Sequence, residues 1–166
     1  MDYLLDSNSL IDAHKKWYRP EVFKSVWTFL ATAPNVKMTT FVYDEIQYPQ
    51  QLVNWTHQTF KTQQIQPDDA TIQVYREIMN WISVSQRWNP AGIAQWQSPY
   101  KADPWLIATA QIHHQSIVTM DGNGHVTMPS IGVFSGKEPK IAAVAHQFGV
   151  TTIPLYELLS QLHLSL

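Results

Sequence analysis

Short apolar runs, each ending at an acid or a turn and each followed by a stretch of helical period, recur along the chain. They are Tyr3-Leu4-Leu5, Val36-Lys37-Met38-Thr39, Ser116 to Met120 and Val150 to Ile153. A parallel strand pair needs a long crossover, usually a helix, so this alternation points to a parallel α/β sheet. Gln63 to Gln66 reads as a short edge strand. Between the runs, helices are expected from about Ser9 to Lys16 and around Val22, Phe23, Val26, Trp27 and Leu30, with Pro20 in the first turn. Further helices follow Thr40, Pro49 and Pro67-Asp68-Asp69, and Pro139 and Pro154 open the last two. The segment Trp88 to Lys101, with its Asn-Pro and Ser-Pro pairs, reads as irregular. Asp103-Pro104 then reads as N-cap and first residue of a helix that is apolar nearly all round and therefore buried. The expectation is one domain over residues 1–166, a three-layer α/β/α fold around a central parallel sheet of four to five strands.

Composition removes several chemistries. The chain has no cysteine, which excludes disulfide scaffolds, thiolate zinc sites, iron–sulfur ligation and a cysteine nucleophile. Eleven Lys+Arg against 13 Asp+Glu give a net charge of −2, which argues against capture of nucleic acid over the whole surface. No run approaches the about 18 apolar residues of a spanning helix, and the first six residues lack a basic leader. No membrane partner and a cytoplasmic location are therefore expected. No Gly-x-Gly-x-x-Gly, Gly-x-x-x-x-Gly-Lys-Ser/Thr or Gly-x-Ser-x-Gly is present. The usual dinucleotide, P-loop and α/β-hydrolase readings are thus unsupported.

Ligands of open parallel sheets bind outside the carboxyl ends of the strands. Asp6 follows the first run and Asp121 follows the Ser116–Met120 run. Glu45 lies in the helix after the second run, and Asp103 begins the helix that feeds the Asp121 strand. Singly, each acid reads as a turn, a cap or a solvated helix face. Together they would converge at one edge of the sheet. Carboxylates without His or Cys partners suit a hard cation such as Mg²⁺ or Mn²⁺, which removes their mutual repulsion. Such a centre polarises a phosphate and activates water, the chemistry of phosphodiester hydrolysis.

These residues resemble the PIN-domain nucleases, which include the toxin ribonucleases of bacterial toxin–antitoxin pairs. The resemblance is carried by Leu4-Leu5-Asp6-Ser7-Asn8, Asp44-Glu45-Ile46, Asp103-Pro104-Trp105-Leu106-Ile107-Ala108-Thr109-Ala110 and Ile117-Val118-Thr119-Met120-Asp121, and it spans nearly the whole chain. The chain also resembles an uncharacterised branch of that family with Leu-Leu-Asp-Ser/Thr-Asn, an Ala-His pair (Ala13-His14) and Ala-Asp-Pro-x-Leu-Ile-Ala (Ala102 to Ala108). The resemblance implies a hydrolase: a metal-dependent endoribonuclease with Asp6, Glu45, Asp103 and Asp121 as catalytic metal ligands around Mg²⁺ or Mn²⁺. It implies that Asn8 and Thr119 orient carboxylates or water, and it puts forward an antitoxin protein and a second copy of the chain as partners. One departure is Asn123, where family members often place another acid.

Lys15, Lys16 and Arg19 cluster after the first helix, and Arg87 and Lys101 flank the irregular segment that carries Trp88, Trp96 and Tyr100. Aromatics beside cations stack single-stranded bases and hold phosphates, so this segment is the candidate wall of an RNA groove. Seven Trp exceed what a core of this size usually absorbs, and some are expected at a partner surface. His125 reads as a plain loop residue. The rival class is a PIN-like module that binds RNA or a protein without efficient metal binding, which Asn123 and the absence of global positive charge favour. A receiver-like signalling domain needs paired acids after the first strand and a late lysine; only Asp6 is there.

Overall fold

A computed structural model describes residues 1–121 and 127–164. Gly122, Asn123 and His125 lie outside the described residues. The chain runs β1 (Tyr3–Leu5), α1 (Ser7–Asp12), a π-helical segment (Ala13–Trp17), α2 (Lys24–Thr32), β2 (Val36–Thr39), α3 (Thr40–Glu45) and α4 (Gln50–Phe60). It continues through β3 (Gln64–Ile65), α5 (Asp69–Val84), α6 (Pro90–Trp96), α7 (Ala102–His113), β4 (Ser116–Val118), α8 (Ile141–Gln147), β5 (Thr152–Ile153) and α9 (Leu155–Gln161).

All strand pairs are parallel, and the sheet order is β3-β2-β1-β4-β5. The expected α/β fold with a central parallel sheet flanked by helices is thus observed. The chain builds outward from β1 to β3, then returns to the other side of β1 for β4 and β5. Right-handed crossovers in opposite directions place helices on opposite faces, and the direction changes between β1 and β4. That crevice is where a ligand site is favoured.

Strands covered on both faces are apolar throughout, and Leu4, Leu5, Ile117 and Val118 are fully buried. The helices supply Leu30, Leu52, Ile78, Leu106 and Leu158 to the same core. Among the described residues, no helix is long and apolar enough to cross a membrane.

Three local expectations are corrected. α2 begins at Lys24, not at Pro20, because the Arg19 carbonyl accepts from the amides of Val22 and Phe23 and closes a turn there. Val22 consequently stands in solvent. Asp103 does not cap α7: the helix starts at Ala102, Lys101 is its N-cap, and the Asp103 carboxylate pairs with Lys101 Nζ. The stretch read as irregular contains α6, whose Asn89 side chain accepts from Ala91 N and Gly92 N at 3.0 and 3.1 Å.

α6 also anchors the loop that leads into α8. The backbone of Ser135 bonds Arg87 and Asn89, and Gly132 N donates to Gln86 O. A Cβ at Gly92 would come within 2.7 Å of Ser135 O and 2.8 Å of Lys137 O, both backbone atoms. Gly→Ala in an exposed helix gains up to about 1 kcal/mol from propensity. Here the sign reverses: Gly92→Ala should cost about 1–3 kcal/mol in urea unfolding, because the loop has to be displaced. A stabilised variant would show that the loop does not pack on α6.

Candidate metal centre

Two registers meet at the edge of β1 and β4. Tyr3, Leu4 and Leu5 pair with Ser116, Ile117 and Val118, and Asp6 N donates to Val118 O at 3.0 Å. Asp6 and Thr119 are therefore neighbours just beyond the strand ends, at the change of crossover direction. Ser9 Oγ donates to the Asp6 carbonyl at 2.7 Å and secures the first turn of α1.

Glu45 arrives from the next strand over. Thr39 Oγ1 accepts from Val42 N and starts α3, whose buried Val42, followed by buried Ile46, holds the helix against the core. Glu45 ends that helix and accepts from Ser7 Oγ at 2.5 Å. Asp103 arrives in the first turn of α7, where an acid is favoured by the helix dipole. α7 is fixed by Trp105, which stacks between Phe41 (4.6 Å between ring centres) and Tyr75 (3.9 Å). This three-ring stack ties α3, α5 and α7 together within two residues of Asp103.

Asp6, Glu45 and Asp103 each present a carboxylate oxygen within 4.8 Å of the others. Asp6 is completely buried and Asp103 nearly so, while Glu45 is the most exposed of the three. Burial above all, with the charges of Asp103 and Glu45, pushes the Asp6 carboxyl up to about 7. Thr119 Oγ1 opposes this by donating to Asp6 Oδ2 at 2.8 Å. Asp103 is pushed up to about 6, again chiefly by burial, with Lys101 drawing it down and Glu45 pushing it up. Asp6 Oδ1 is buried and has no hydrogen-bond partner in the protein. An orphaned buried oxygen, two carboxyls held near neutrality by burial, and an all-oxygen donor set fit a hard divalent cation. The cluster can bind a metal ion.

The other expected residues are distributed differently. Asp121 does not join the cluster: its Oδ2 accepts from Ile141 N at 2.8 Å, at the start of α8, and its Oδ1 lies 3.6 Å from Lys140 Nζ. It connects to the centre through Thr119, whose Oγ1 accepts from Asp121 N at 3.0 Å, and through Lys140. The Thr119 side chain contacts the Asp6 carboxylate directly. The Asn8 side chain is exposed, and what approaches Asp6 is the Asn8 backbone amide, short of full hydrogen-bond geometry.

Three participants were not singled out from the sequence: Ser7 on Glu45, and Glu138 and Lys140, which flank the centre from the α6-anchored loop. Ser7 directly follows the strand-end Asp6, a signal that was present. Glu138 and Lys140 come from a loop with no periodicity, and only the tertiary fold brings them in.

The proposed groove wall changes most. Trp96 is fully buried and Trp88 nearly so, so neither can stack a base; each fills the core under α6. Arg87 donates to Pro129 O at 2.6 Å, and Lys101 pairs with Asp103 and Glu138 at 3.2 and 3.1 Å. Tyr100 remains exposed. Lys15 lies over the Tyr48 ring, Lys16 pairs with Asp12, and Arg19 lies 3.8 Å from Glu21. The tryptophan surplus is absorbed inside: among the seven, Trp17 alone stands mostly in solvent.

The Thr119 hydroxyl is the testable support of this geometry. It orders one Asp6 oxygen and leaves the other free, so Thr119→Val should weaken Mn²⁺ binding about tenfold in calorimetry. Unaltered affinity would mean that Asp6 needs no such orienting bond.

No curated protein matches the chain. Over residues 3–166, a span that includes every strand and every acid of the centre, the chain matches the family described as Domain of unknown function (DUF4411), and it belongs to that family.

Proposed function

We propose that the chain is a metal-dependent endoribonuclease of PIN type, with Asp6, Glu45 and Asp103 holding Mg²⁺ or Mn²⁺. The observation that carries this reading is the convergence of three carboxylates within 4.8 Å at the β1/β4 crevice, with Asp6 Oδ1 buried and unpartnered. The resemblance of the acid-bearing segments to PIN nucleases supplies RNA as the substrate. It also supplies the role of a toxin in a toxin–antitoxin pair, with an antitoxin and a second copy of the chain as partners.

A bound divalent ion supplies positive charge that polarises the scissile phosphate and lowers the pKa of an attacking water. The protein's own residues do the rest. Asp6, just before α1, and Asp103, in the first turn of α7, would hold the ion. Glu45, the most exposed of the three and held by Ser7, would be the carboxylate most accessible to substrate and water. Thr119 orients Asp6 and favours its charged form against the opposing effect of burial. Lys15, Lys16 and Arg19 remain the exposed cations for a phosphate backbone.

The test is purified protein on single-stranded RNA with Mn²⁺ or with EDTA. Cleavage that needs the metal supports the reading; cleavage that persists in EDTA contradicts it. One observation favours the alternative, a module that binds RNA or a protein but is catalytically weak: Asp103 is already ion-paired to Lys101. Absence of Mn²⁺ uptake in calorimetry would select that alternative.

A further inference from the structure

Lys101 is the one cation in direct contact with the acid cluster among the described residues. Its Nζ lies 3.2 Å from Asp103 Oδ2 and 3.1 Å from Glu138 Oε2, and only 23% of its side chain is exposed. Its position is set from both sides. As N-cap of α7, its backbone is fixed by the helix that carries Asp103. Glu138, its other partner, comes from the loop held down on α6 and is paired in turn with Lys140, which reaches Asp121. Asp121 returns through Thr119 to Asp6. The ring Asp103–Lys101–Glu138–Lys140–Asp121–Thr119–Asp6 thus closes around the centre, with ammonium groups between its outer carboxylates.

We infer that the Lys101 ammonium group is the resident second cation of this centre: it occupies Asp103 Oδ2, so the cluster takes a single divalent ion. The inference rests on the metal reading of Asp6, Glu45 and Asp103. Physically, a unit positive charge a few ångströms from a cation site opposes the incoming ion even at a high effective dielectric. Lys101 therefore weakens metal binding while holding Asp103 in one orientation. It is a positioning residue, and it sets stoichiometry as well as affinity. Losing a positioning lysine usually loosens a site; here the affinity should move the other way.

The experiment is Mn²⁺ titration by calorimetry of the wild type, Lys101→Gln and Lys101→Arg, with thermal unfolding of each to verify the fold. Gln keeps a hydrogen-bond donor between Asp103 and Glu138 and removes the charge; Arg keeps the charge. The wild type should take up one Mn²⁺. Lys101→Gln should bind Mn²⁺ at least about tenfold more tightly, while Lys101→Arg stays within about threefold of wild type. Unchanged or weaker binding by Lys101→Gln, with one ion still taken up by the wild type, overturns this inference and leaves the metal reading standing. A wild type that takes up two ions overturns it in the same way. No uptake by any of the three proteins overturns both.

Discussion

Asp103→Asn should lower Mn²⁺-dependent cleavage of single-stranded RNA by about 10³-fold or more. The substitution keeps the shape of the side chain and removes one charged ligand oxygen pair from a cluster of three acids. A metal contributes several kcal/mol of transition-state stabilisation, and about 4 kcal/mol corresponds to that factor. The loss should not come from unfolding. Burial and the charge of Glu45 push the Asp103 carboxyl up to about 6 even with Lys101 beside it, so its charged form is strained without a bound divalent ion. Neutral Asn removes that strain, and the variant should melt no lower than metal-free wild type at pH 8. Activity lost with the fold intact is the signature of a ligand. Full cleavage by Asp103→Asn would remove Asp103 from the centre, and full cleavage in EDTA would remove the metal as well.

The same residues show what could be read in advance. The fold followed from spacing: apolar runs separated by helical periods require crossovers, and parallel pairing follows from that alone. Asp6 was legible because strand ends of such sheets face ligands, and Glu45 because it heads away from the neighbouring strand. Asp121 obeyed the same rule and yet went elsewhere. A strand-end acid has two outlets, the crevice and the next helix, and the start of α8 with Lys140 engages both of its oxygens. Lys101 was noted for its charge, but its role depends on Glu138, which lies 37 residues away in a loop without a pattern. Trp96 was misplaced for a different reason. Asn89-Pro90 carries the same N-cap and proline signal as Asp103-Pro104, but an Asn-Pro pair followed by Ser-Pro marks a loop equally well. Once Pro90 starts α6, Trp96 falls on its inner face.

Metal-free protein should become less stable as pH rises from 5 to 8, by about 10 °C in melting temperature, and Mn²⁺ should restore most of the loss. Asp6 titrates at about 7 in the folded chain and near 3.8 as an ordinary carboxyl; Asp103 titrates at about 6. Between these values the folded state binds more protons than the unfolded state. The slope of unfolding free energy with pH is therefore negative. The stabilisation is fully present below about pH 4 and is lost as pH rises through the folded values. Each carboxyl contributes at most about 1.4 kcal/mol per pH unit in its window. The two repel each other, so their contributions overlap, and about 3 kcal/mol between pH 5 and 8 is the expected sum. For a chain of this length that is about 10 °C. His14 is held below its usual value, mainly by burial, and works in the opposite direction at the acid end. The clean measurement is consequently the difference between wild type and Asp6→Asn, each in EDTA and each in Mn²⁺. Asp6→Asn should lose most of the downward slope and most of the Mn²⁺ stabilisation together. A cation binds the charged form of these carboxylates, so its stabilising effect on the wild type should grow with pH. Equal slopes in the two proteins would show that Asp6 is not a carboxyl held protonated by burial, and the orphaned oxygen would then need another explanation.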